Sequence, residues 1–351
     1  MRRIEFRQQF DILILFMIVQ FGGLLVASLV YTTTPITYIN SSSQSSEINT
    51  PQQALWFFAY FIIATLIILL AFKLYHGDIL FRLFEAFVIV VPSFFVFAIV
   101  IGYLFPNANI SIVSFAALAM AIALIVAKNK YSWSKNAVVI IASIGVGLVL
   151  GIDFSFGIAY LLVLIIAAYD YIAVFVTKHM LTLAKVVSSK DLAFLIASTD
   201  IEVIPKGFFT KKEAKKYEEY KKEIKKVNNP IIKKLIQKGK LPLISQVQLG
   251  AGDLGIPLML AISSYKIGYN YFLPIAVIIG GSIGMLFTMY IQKKYLVPLP
   301  AIPPLFSFMS IALGLAVLPI SVQDGIVMML AGIIVLTTFV IGAFKSSKEK
   351  S

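Results

Sequence analysis

Two acids stand apart from the other charges of this 351-residue chain. Asp170 lies in "AYDYIAVFVTKHM" and Asp253 in "LGAGDLGIPLML", each well inside an apolar run. The other acids near such runs, Asp11, Glu85, Asp153 and Asp324, fall at their ends, where water or lipid headgroups reach them. An ionisable group held at depth in a membrane is costly and marks function. Two carboxyls that share a site do not both ionise cheaply, so such a pair holds a single proton. One carboxylate then takes a proton from water while its protonated partner polarises a scissile carbonyl. Peptide hydrolysis by that route uses no metal and no serine or cysteine nucleophile.

The elements that must position these acids follow from composition. Hydrophobic residues make up 59% of the chain and charged residues 13%, against about 25% charged in soluble domains. Mean hydropathy is +0.91. Apolar runs recur at about 11–31, 54–74, 83–105, 109–127, 137–152, 155–177, 243–264, 271–291, 302–319 and 325–344, which predicts an all-α, polytopic transmembrane protein in the lipid bilayer. The first run follows "MRRIEFRQQF" and exceeds the length of a signal-peptide core, so it is expected to remain as a span. There is no cysteine, and His76 and His179 are the only histidines; no cofactor and no metal site is expected. The net charge of +13 comes with no nucleic-acid recognition motif, so no nucleic acid is expected as a partner.

Lysine and arginine placement sets the orientation. Arg2, Arg3 and Arg7 at one end and Lys345, Lys348 and Lys350 at the other predict both termini in the cytoplasm, with Lys266 alone on the wrong side. The chain divides into residues 1–177 with six spans, a basic cytoplasmic loop over 178–242, and residues 243–351 with three or four spans. Within the loop, "DLAFLIASTDIEVIP" reads as a strand or hairpin that would dock an opened peptide by main-chain pairing. The lysine-glutamate stretch after it reads as a solvated helix near anionic headgroups. No internal repeat is evident, which weighs against an inverted-repeat transporter.

Depth links the two acids. With the sixth span ending near Lys178, Asp170 sits roughly 12 Å from the boundary at helical rise. With the seventh starting near Pro242, Asp253 sits roughly 16 Å in. Gly250 and Gly252 are read as allowing close helix approach and backbone deformation beside Asp253.

At these residues the sequence resembles the presenilin and signal peptide peptidase family of intramembrane aspartyl proteases. Tyr169-Asp170 matches its Tyr-Asp motif, and "LGAGD", Leu249 to Asp253, its Gly-x-Gly-Asp motif. In "PLPAIPPL", Pro300 and Ala301 match its Pro-Ala-Leu motif, with Ile302 in place of leucine. The resemblance covers about residues 155–320 and is nearest to archaeal members, which implies an archaeal cell membrane. It implies a fold of nine helices, from which an apparent tenth run departs. It implies hydrolysis of peptide bonds within transmembrane helices or signal peptides, with Asp170 and Asp253 as the catalytic pair. Tyr169, Leu249, Gly250, Gly252, Pro300, Ala301 and Ile302 would shape the site. The presenilin-like orientation implies substrates with their N-termini outside. The residues alone leave a proton- or cation-coupled transporter open, since it would use the same acids. A prepilin-type peptidase and a non-catalytic scaffold are the remaining readings, and no oligomeric state follows from the sequence.

Overall fold

The computed structural model describes residues 2–33, 50, parts of 52–67, 78–130, 134–177, 195–204, 241–268, 270–295 and 299–348. The run at 54–74 and the lysine-glutamate stretch of the loop lie largely outside the described residues. The chain forms two compact units, one of Met1–Ile12 with Ala197–Gln248, the other of Leu13–Ile196 with Leu249–Ser351. The first carries most of a two-stranded sheet, β1 (Leu195–Ile204) paired with β2 (Leu241–Gly250). β1 coincides with the segment expected to be a strand.

Nine α-helices are described: α1 (Arg2–Thr33), α2 (Asp78–Leu104), α3 (Ile110–Lys130), α4 (Ser134–Asp153), α5 (Phe156–Tyr171), α6 (Ala251–Tyr265), α7 (Phe272–Tyr295), α8 (Ile302–Val317) and α9 (Val322–Lys348). A π-helical turn, Ile172–Val176, extends α5. Among the described residues, seven helical segments are long and apolar enough to cross a membrane. The tenth apolar run is one of them, helix α9.

The seventh run departs from its expected form. Residues 243–250 are not helical; they belong to β2, and the helix begins only at Ala251. A depth for Asp253 worked at helical rise from Pro242 therefore does not hold. Within β2, Gln246, Val247, Gln248 and Leu249 alternate polar and apolar residues, which suits a strand.

α6 is the core helix of the second unit. Leu254, Leu258, Met259, Leu260, Ala261 and Ile262 are fully buried. Glycines on its neighbours make the close packing possible. A Cβ on Gly23 of α1 would lie 2.3 Å from the Leu258 side chain, and one on Gly147 of α4 2.8 Å from it. Leu258 is thus gripped from two sides. α4 in turn meets α2 where a Cβ on Gly145 would fall 2.2 Å from the Pro92 carbonyl.

Two polar contacts fix the scaffold. Lys266 Nζ donates to the carbonyls of Ile152 (2.9 Å) and Phe154 (2.7 Å), at the C-terminal end of α4. A cation there complements the helix dipole and satisfies carbonyls left over by the last turn. Glu85 of α2 and Lys128 of α3 form a buried ion pair.

Candidate active site

Asp170 is the penultimate residue of α5, just before the π-helical turn. Its Oδ2 accepts the backbone N–H of Ile302 at 3.3 Å. Ile302 is the first residue of α8, where backbone N–H groups have no intrahelical acceptor. Pro303 and Pro304 follow and bring no N–H, and Leu305 already bonds the Ala301 carbonyl. The "AIPPL" sequence therefore leaves the Ile302 amide as the donor of this turn, and the carboxylate meets the positive end of the helix.

Asp253 sits in the first turn of α6, after the N-cap Gly250, and its Oδ2 accepts the Gly250 N–H at 3.2 Å. A Cβ on Gly250 would lie 3.1 Å from that oxygen. Glycine here makes room for the carboxylate; its φ of −69° needs no special residue. Gly252 is exposed, and a Cβ on it would meet nothing within 4 Å. The expectation that these two glycines permit close helix approach is thus corrected. The close approaches lie on other glycines, and Gly252 leaves open space beside the acid.

α5 and α6 pack against each other, and both pack on α8. Asp170 is thus carried at the end of α5 and Asp253 in the first turn of α6, on two helices in direct contact. Both side chains are half-buried. Each has one oxygen held by a main-chain N–H, while the other makes no hydrogen bond among the described residues. Of the other expected residues, Leu249, Pro300 and Ile302 are buried, Ala301 is half-buried and Tyr169 is exposed. Among the described residues no group of three or more His, Asp or Glu side chains is placed to hold a metal ion.

Two contacts were not foreseen from sequence. Gln20, fully buried in α1, donates its Nε2 to the Leu254 carbonyl at 2.9 Å. Ser143 of α4 donates its hydroxyl to the Ala251 carbonyl at 3.3 Å. Both reach the turn that carries Asp253. This turn is weakened from within, because Pro257 offers no N–H to the Asp253 carbonyl four residues earlier. A glutamine inside an apolar run was the available signal.

The family described as signal-peptide peptidase, presenilin aspartyl protease matches residues 13–312. Two solved structures, each of a presenilin family intramembrane aspartate protease, have similar folds, with TM-scores of 0.55 and 0.56. Both are 16% identical over 87% of this chain, covering 97% and 96% of their own. No curated protein matches the chain. The chain belongs to the signal-peptide peptidase, presenilin aspartyl protease family. It is a multi-pass membrane protein and an intramembrane aspartyl protease, and the transporter, prepilin-peptidase and scaffold readings are set aside.

Proposed function

We propose that Asp170 and Asp253 are the catalytic pair and hydrolyse peptide bonds within transmembrane segments. The supporting observation is that the helices carrying these two acids pack against each other and on α8, with one oxygen of each acid held by a main-chain N–H. One carboxylate accepts a proton from water as the water oxygen attacks the scissile carbonyl carbon. The protonated partner donates to the carbonyl oxygen, and the tetrahedral intermediate collapses with proton transfer to the leaving nitrogen. The Gly250 and Ile302 amides hold one oxygen of each acid, fixing the orientation of the oxygens that react.

The substrate is a transmembrane helix whose main chain must be opened before attack. The sheet of β1 and β2 offers edges to which an opened strand can add, and β2 ends at Gly250, next to the Asp253 helix. Tyr169, Leu249, Gly250, Gly252, Pro300, Ala301 and Ile302 shape the surroundings of the two acids in this reading. Both termini and the loop over 178–242 are cytoplasmic in this reading, and substrates enter with their N-termini outside. The chain acts in an archaeal cell membrane as residues 1–177 and 243–351 joined by that loop.

The test is cleavage of a transmembrane peptide in purified proteoliposomes, scored by product mass. Asp170→Asn and Asp253→Asn keep shape but remove a titratable carboxyl, and each should abolish cleavage while the protein stays folded. Product from either variant would falsify the pair. A reporter fused after Lys350 should register in the cytoplasm; an external signal would reverse the substrate orientation.

A further inference from the structure

The family match ends at residue 312, inside α8, so α9 lies wholly beyond it. α9 nevertheless reaches the surroundings of Asp170. A Cβ on Gly342 would lie 2.9 Å from the Tyr171 ring and 3.0 Å from Phe175. Tyr171 adjoins Asp170, and Phe175 belongs to the π-helical turn. Phe339, one turn earlier on α9, is fully buried in a cluster that includes Phe175 and Leu299. Its ring centroid is 6.2 Å from that of Phe175.

Leu299 gives this cluster its significance. It lies three residues before Ile302, whose amide holds Asp170. Phe175 lies five residues after Asp170 on the opposite side of the same hydrogen bond. Both partners of the Asp170–Ile302 contact therefore run into chain that packs on the one cluster of Ile291, Phe339 and Ala343. The π-helical turn adds a reason for the support: its wider winding departs from regular helix just past the acid, and packing must hold it in one form.

We propose that Phe339 and Gly342 of α9 are positioning residues that set the Asp170 carboxyl against the Ile302 amide. The inference rests on the reading of Asp170 as a catalytic acid. Phe339 packs on the π-helical turn and belongs to the cluster on which Leu299, before α8, also packs. Gly342 lets α9 approach closely enough to back the Tyr171 ring.

The experiment uses the full chain in proteoliposomes. Phe339→Ala should lower kcat about 10- to 100-fold with KM within about twofold, since a displacement near 1 Å costs about 100-fold in rate. Phe339→Leu should recover most of that loss, and Gly342→Val should reproduce it. Gly325→Ala is the control on the same helix: its Cβ would press on the Gly314 carbonyl at 2.8 Å, so it should lower thermal stability and leave kcat per folded molecule unchanged. A thermal-stability cycle of Phe339→Ala with Asp170→Asn reads the coupling without catalysis, and the two shifts should be non-additive. Additive shifts, or an unchanged kcat in Phe339→Ala, would overturn the proposal. A wild-type chain that cuts nothing would overturn the proposed function instead, and the cycle would still decide whether Phe339 couples to Asp170.

Discussion

Gln20→Met keeps the length and volume of the side chain and removes both of its polar atoms. The two atoms have opposite consequences. Nε2 donates to the Leu254 carbonyl at 2.9 Å, whereas Oε1 is buried with no hydrogen-bond partner among the described residues. An interhelical hydrogen bond in a membrane contributes about 0.6 kcal/mol. A buried acceptor left unsatisfied costs about 1–3 kcal/mol. Losing both atoms should therefore leave stability unchanged or raise it by roughly 1 kcal/mol. Activity should move the other way. The Leu254 carbonyl belongs to the residue after Asp253, and a shift of about half an ångström in the acid corresponds to about a tenfold loss in rate. Thermal unfolding in detergent and initial cleavage rates in proteoliposomes should thus change in opposite directions. A destabilised variant that cuts at the wild-type rate would refute this account of Gln20.

Other substitutions probe the scaffold and the open face of the site. Gly252→Leu adds a side chain where a Cβ meets nothing within 4 Å; folding should be untouched, and cleavage should fall if the proposed site takes the substrate main chain there. Gly145→Ala sets a methyl 2.2 Å from the Pro92 carbonyl and should destabilise by about 2 kcal/mol, measured as a lower unfolding temperature. Gly147→Ala should also destabilise, because its methyl would lie 2.8 Å from the Leu258 Cβ, which Gly23 confines from the other side. Glu85→Gln alone should cost about 3–5 kcal/mol by stranding Lys128, whereas Glu85→Met combined with Lys128→Met should cost far less; denaturation of the single and double variants compares the two.

The two acids were legible in the sequence because a carboxylate in an apolar run has few explanations. Their supporting contacts were not, because those run through main-chain groups. Ile302 departs from the family's leucine, yet what reaches Asp170 is its amide, which almost any side chain would bring. The start of α6 was misplaced because an apolar run near a strand-to-helix junction does not show where the period changes. The Leu-Pro-Leu-Ile opening of β2 extended the apolar run backwards past Ala251. Gln20 escaped a census of charges because it is neutral. The packing of α9 on the π-helical turn is a tertiary fact, joining residues more than 160 apart in the chain (Phe175 and Phe339), with no local signature in either segment.

The late start of α6 has a consequence for hydration. Its 15 residues span about 22 Å at helical rise, short of a hydrocarbon layer about 30 Å thick. The chain just before Ala251 is extended, so its amides lack partners within their own segment. A bilayer interior accepts such main chain only where protein covers it or water reaches it. Asp253 stands in the first turn after that junction. The proposed hydrolysis consumes water as well as peptide, so the break that frees the Gly250 amide for the carboxylate lies at the place where both reactants must meet.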